Sequence, residues 1–123
     1  MTYKILTEAS GSLTAVYLIK AIQEAGHQAV ASDITMEIAA RSLAEDFILM
    51  PDKNDPTLFA KLQELLKRHR VDVVIPSLDE TLLLWAKHRG PMGQNGLQVI
   101  ISDPATVETF RDKWKTLSFL SPT

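Results

Sequence analysis

An α/β fold, with an open parallel sheet of about five strands and helices on both faces, is what this 123-residue sequence predicts. Three features carry the expectation. Short apolar runs alternate with segments of helical periodicity, the pattern of βαβ crossovers. Two runs, Val71-Asp72-Val73-Val74-Ile75 and Leu97-Gln98-Val99-Ile100-Ile101, are nearly continuous in β-branched and other apolar residues, as strands covered on both faces must be. Helix boundaries are punctuated as well. Asp55-Pro56 and Asp103-Pro104 read as a cap followed by proline at the first helical position, while Gly26 and Gly90-Pro91 read as stops.

Taken in order, the first strand covers residues 3–7, and a helix from Leu13 to Ala25 sets Val16, Leu18, Ile19 and Ile22 largely on one stripe. A second strand covers 29–32. Residues 35–43 form the least periodic helical segment, and 46–50 a third strand. After Asp55-Pro56, the stripe Leu58, Phe59, Leu62, Leu65 and Leu66 runs toward Arg68. The fourth strand, 72–75, leads to a helix over 79–87, and the fifth strand, 97–101, to a short helix. Residues 91–96 read as a turn-rich loop. Right-handed crossovers then favour the strand order 3-2-1-4-5. Ligands of such sheets bind outside the carboxyl ends of the strands at the topological switch, here between the first and fourth strands. The loops of interest are therefore 8–14 and 76–80.

Composition narrows the class. The hydrophobic fraction of 46% and charged fraction of 23% are those of an ordinary globular domain. Net charge is −2, and the densest basic run, Lys67-Arg68-His69-Arg70, ends a helical pattern where cations complement the helix dipole. Nucleic acid is not the expected partner. With no cysteine there is no disulfide, thiolate nucleophile or Cys-based zinc site. No apolar run has the length of a membrane span, so no membrane partner is expected and the expected setting is cytoplasmic.

Chemistry concentrates in the two loops. Ser10-Gly11-Ser12 puts small residues where backbone N–H groups at a helix start can approach an anion or substrate, and a plain tight turn is the competing reading. Asp33, at the end of the second strand, stands where a ribose-binding acid would stand, or else caps the next helical segment. One glycine falls short of the G-x-G-x-x-G dinucleotide fingerprint. Asp79 and Glu80 open a helix at the same edge. Asp79 is explained by capping, and Glu80 is the better candidate for a substrate amine or ammonium. His27, His69 and His88 share no metal-ligand spacing and are expected on the surface. No G-x-S-x-G elbow is present, which disfavours hydrolase chemistry.

The order K-I-L-T with a Ser-Gly-Ser loop, A-G-H before the second strand, Ser32-Asp33, an acidic pair after V-V-I-P, S-D-P with a short helix, and Asp112-Lys113 with Thr116 resembles the N-terminal domain of ATP-grasp ligases, in particular the carbamoyl-phosphate-synthase-like branch. The resemblance covers essentially the whole chain. It implies a Rossmann-like, pre-ATP-grasp domain over residues 1–111, with 112–123 as the start of a connecting helix toward a missing ATP-grasp domain. It implies further that ATP and Mg²⁺ serve the parent enzyme, where a carboxylate becomes an acyl phosphate that an amine attacks, and that this chain alone needs no cofactor and is inactive. By the same resemblance Lys113 reaches the nucleotide, against the reading of a solvated helix lysine, and Ser10, Gly11, Ser12, Asp33, Asp79 and Glu80 face the substrate. The implied partners are a small-molecule carboxylate or amine and the missing ATP-grasp domains, with a homodimer as one mode of assembly. Two alternatives stand beside it: a Rossmann-type nucleotide or NAD-binding module, and a non-catalytic interaction domain on the same scaffold.

Overall fold

In the computed structural model, residues 2–8, 11–52, 54–77, 81–94, 96–101 and 104–111 are described, the last four of these by backbone only. Strands β1 (Lys4–Thr7), β2 (Gln28–Asp33), β3 (Asp46–Leu49), β4 (Val73–Ile75) and β5 (Gln98–Val99) alternate with helices α1 (Leu13–Glu24), α2 (Leu58–Arg68), α3 (Leu82–Gln94) and α4 (Pro104–Arg111). The sheet order is β3-β2-β1-β4-β5 and every described pairing is parallel, as the crossover argument predicts. The switch lies between β1 and β4, where Thr7 pairs with Ile75 on one side and with Ala31 on the other.

Strand alternation divides the core in two. Ile5 of β1 and Ala29 and Ala31 of β2 face α1, meeting Ile19 and Ile22. The two alanines let the helix lie close to the sheet. Leu6, Val30, Ile48, Val74 and Val99 face the other way, against Leu62 and Leu66 of α2 and Trp85 and Met92 of α3. Leu6, Val30 and Val74 are fully buried, each worth roughly 1.5–3 kcal/mol relative to exposure. Among the described residues the buried indole Nε1 of Trp85 has no hydrogen-bond partner.

Several boundaries differ from expectation, each for a local reason. Between β2 and β3 only a 3-10 turn forms, Ala39–Ser42. The Asp33 carboxylate accepts the Ile34 and Thr35 amides, and Thr35 Oγ1 accepts the Glu37 amide, so the backbone before the turn is already committed to side-chain partners. Helix α2 starts at Leu58, with Thr57 as its N-cap. Asp55 organises the preceding turn by accepting the Thr57 amide and hydroxyl at 2.8 and 2.7 Å. Helix α3 runs through Gly90-Pro91 to Gln94. Residues 87 and 89–91 are exposed, so water can serve carbonyls that proline leaves, while buried Met92 pins the last turn to the core. Strands β4 and β5 are shorter than predicted, although Gln98 N donates to Asp72 O and Ile100 N to Val74 O, extending the ladder on both sides.

The amino edge of the sheet is closed by charge. Lys4 Nζ contacts Asp46 Oδ2 at 2.7 Å and donates to the His69 carbonyl at 2.6 Å, and His69 Nδ1 lies 2.9 Å from the same Asp46 oxygen. Burial pushes the Asp46 carboxyl up, but hydrogen bonds from Lys4, His69 and the Phe47 amide outweigh it and hold it at about 2. The histidines are half-buried rather than superficial. His27 Nδ1 accepts the Tyr3 amide at 3.0 Å, and His88 stacks on Phe59 with centroids 3.7 Å apart. At the end of α2, Arg70 takes φ 57°, a left-handed conformation that costs a non-glycine residue roughly 1 kcal/mol.

Candidate functional site

The carboxyl edge is built around the switch. Glu8 follows β1 directly and is only 3% exposed. Its two carboxylate oxygens lie 3.0 and 2.9 Å from Thr81 Oγ1, at the start of the α3 region, and Oε1 lies 3.4 Å from the Ser77 amide. Ser77, two residues after β4, answers with its side chain. Its Oγ donates to the Glu8 carbonyl at 2.8 Å, lies 3.1 Å from the Glu8 amide, and sits 3.2 Å from Thr7 Oγ1. Ser32 Oγ donates to the Thr7 carbonyl at 2.7 Å, joining β2 to the same network. Parallel strands leave their last carbonyls and amides at this edge, and hydroxyl side chains complete them. The loops after β1 and β4 are thereby fixed to one another.

A second link ties the α1 loop to β2. The Gly11 amide donates to Asp33 Oδ2 at 3.0 Å. A Cβ at position 11 would lie 3.2 Å from that oxygen and 3.4 Å from Ile38 Cγ2, so the loop's single glycine permits this approach. Ser12 is the N-cap of α1, its Oγ accepting the Ala15 amide at 3.2 Å. Of the predicted site residues, Gly11, Ser12 and Asp33 are thus brought together at the switch, each engaged with the chain itself. Asp33 does cap, as one of its two readings had it, but it caps a turn. Ser10, Asp79, Glu80 and Lys113 lie outside the described residues, as does the whole 112–123 segment.

Glu8, Ser77 and Thr81 were missed as site residues. The signal for Glu8 was modest: an acid placed directly after an apolar strand, in a loop already marked by topology. Thr81 could not have been chosen over its neighbours, because what selects it is a contact with a residue 73 positions away. Chemically the edge carries two acids, Glu8 and Asp33, with hydroxyls between, and the oxygens of each acid already meet donors of the chain itself. Such an edge repels an anion more than it does an N–H donor or ammonium group. Among the described residues no group of three or more His, Asp or Glu side chains is arranged to hold a metal ion.

A five-stranded parallel sheet in this order is the architecture of the N-terminal, pre-ATP-grasp domain of ATP-grasp ligases. Within that class the chain belongs to the family described as PylC-like, N-terminal domain, whose model matches residues 5–100. Among solved structures, N5-carboxyaminoimidazole ribonucleotide synthetase from Thermotoga maritima is similar with a TM-score of 0.68 at 20% identity, over 96% of this chain and 30% of that one. Glycinamide-RNase-transformylase T from Mycobacterium tuberculosis gives 0.67 at 14% identity, over 92% and 32%. The biotin carboxylase–β-γ-ATP complex from Campylobacter jejuni gives 0.67 at 13%, over 94% and 27%. At these identities the likeness is one of fold. The chain spans about a third or less of each of these proteins. No curated protein matches it in sequence. Among the described residues no helix is long and apolar enough to cross a membrane.

Proposed function

We propose that this chain is the substrate-side N-terminal domain of a cytoplasmic ATP-dependent carboxylate–amine ligase, catalytically incomplete alone. The observation that carries the reading is the Glu8–Ser77–Thr81 network, which fixes the loops after β1 and β4 to one another at the switch, the edge where ligands of such sheets bind. Preorganised loops are what a domain contributes when it positions a nucleophile for chemistry done elsewhere. Gly11, Ser12 and Asp33 shape the β2 side of that edge, and Ser10, Asp79 and Glu80 belong to the same loops by sequence. Glu80 is the residue proposed to meet the amine, and Asp79 the residue proposed to start the helix.

Among solved structures of this fold, N5-carboxyaminoimidazole synthetase from Staphylococcus aureus is complexed with ADP, a biotin carboxylase domain from Hydrogenobacter thermophilus with MgADP, and the Campylobacter jejuni biotin carboxylase with β-γ-ATP. For this protein ATP and Mg²⁺ are proposed to belong to the parent enzyme, where they would activate a carboxylate as an acyl phosphate, with Lys113 reaching toward the nucleotide. The carbamoyl-phosphate-synthase-like branch is the proposed one, with a small carboxylate or amine as substrate. An NAD-binding module finds less support, because Asp33 already spends one oxygen on the Gly11 amide and the other on the Ile34 and Thr35 amides. A homodimer is part of the proposal only as a mode of assembly.

The test has two arms. The isolated chain should release no ADP from ATP with any amine, and turnover that survives repurification and disappears in Lys113→Ala would refute its incompleteness. Titration with small amines, followed by amide chemical shifts, should move Gly11, Ser12, Ser77 and Thr81 together. Shifts elsewhere, or equal shifts with carboxylates alone, would remove the substrate-side reading.

A further inference from the structure

At the opposite edge of the sheet, between the C-terminal half of α2 and the end of α3, lies an open groove of about 740 Å³, within the range of small-ligand sites. Its floor is apolar: Leu66, Val71, Met92 and Leu97, all buried in the core that supports it. Lys67 and Arg70 line it as well. Among the described residues neither makes an ion pair or a side-chain hydrogen bond, whereas the neighbouring Arg68 is taken up by Glu64 at 2.6 Å. Two carboxylates also line the groove. Glu64 is neutralised by that pair, and Asp72 accepts the Lys4 amide at its outer end.

Arg70 is the telling residue. It is the residue that ends α2 in the left-handed conformation, where Arg70 N donates to Lys67 O and Val71 N to Leu66 O. Glycine is the usual occupant of such a position, since it alone adopts it without strain. Favourable interaction with the helix dipole accounts for Lys67, which lies in the last turn, but not for a strained arginine one residue beyond the cap. Strain kept at a groove wall, with an uncommitted guanidinium, is a reason to look for a ligand.

We propose that this groove binds a small amphiphilic oxyanion, a carboxylate or phosphate head on a short apolar body, with Lys67 and Arg70 taking the head and Leu66, Val71, Met92 and Leu97 the body. Charge complementarity commits the site to this class, since two uncommitted cations outnumber Asp72, the one lining acid that is not ion-paired, Glu64 being paired with Arg68. The site is remote from the switch and does not depend on the ligase reading.

Octanoate and octyl phosphate titrated into the 123-residue chain should each shift the amides of Met92, Gly96 and Leu97 and leave Gly11 and Ser77 unmoved, and the tighter of the two names the head group. Lys67→Gln with Arg70→Gln should weaken binding roughly tenfold or more, and Arg70→Lys should retain most of it. Arg70→Gly should raise the melting temperature while weakening binding, which a purely structural arginine would not do. Equal binding of acetate or octylamine, unchanged affinity in the double variant, or groove shifts that appear with protein concentration alone, as self-association would give, would each overturn the proposal.

Discussion

The two edges of this sheet are held together by different physics. At the amino edge the Lys4–Asp46 ion pair, with His69 Nδ1 against the same carboxylate, joins three half-exposed side chains from three elements. At the carboxyl edge Glu8, only 3% exposed, has its carboxylate met by the Ser77 amide from the loop after β4 and by the Thr81 hydroxyl at the start of α3. Charge meeting charge near water can be broken with salt and acid and leaves the fold intact. A buried carboxylate in a hydrogen-bond network is expensive to disturb, and it specifies loop geometry as well as stability. That the second kind stands at the switch is why the site is placed there.

The largest expected effect comes from breaking the carboxyl-edge network. Glu8→Ala removes the buried carboxylate that meets the Thr81 hydroxyl and the Ser77 amide, and urea unfolding should show a loss of roughly 2–3 kcal/mol. Glu8→Gln keeps one acceptor and should lose less than half of that. Equal losses would mean that the negative charge, rather than the hydrogen-bond pattern, matters at this position.

Next in size is the amino edge. Asp46 sits at about 2 when folded and at its ordinary 3.8 when unfolded. The unfolded chain therefore takes up the proton first, so this stabilisation is full above about pH 4 and is lost as pH falls toward 2. Discounted for partial exposure, it amounts to about 1–2 kcal/mol. Asp46→Asn should abolish both that acid dependence and its sensitivity to salt, as read from unfolding curves at two ionic strengths. Glu8→Ala, by contrast, should change little between the two.

A smaller effect tests the Gly11–Asp33 link. Gly11→Ala should cost under about 1 kcal/mol, because the Asp33 carboxylate has to give by a few tenths of an ångström. Combined with Asp33→Ala the two changes should be non-additive, since Asp33→Ala removes the carboxylate that the new Cβ would press on. The smallest effect lies between the edges. Burial first, and Lys87 second, push His88 below its ordinary 6.5. Stability from its stack on Phe59 is thus complete above pH 6.5 and declines as pH falls below it. His88→Phe should flatten that part of the profile.

The alternation of apolar runs and helical stripes, with glycine and Asp-Pro punctuation, determined the fold class, the strand order and the edge at which to look, because each depends on period and chirality that a chain carries locally. The helix boundary at Gly90-Pro91 was not legible, since burial of Met92 against strands far away in sequence decided it. The same holds for the site. Ser12 could be recognised as a cap from its neighbours, but Glu8 acquired its role only when β4 was laid beside β1, bringing Ser77 and Thr81 within hydrogen-bond distance. The strained Arg70 and the groove beside it are likewise products of packing: the sequence shows a basic run after a helix, and only tertiary structure leaves two of its cations uncommitted over an apolar floor. Local propensity and pattern determine elements, whereas partners for polar side chains are determined by which elements become neighbours.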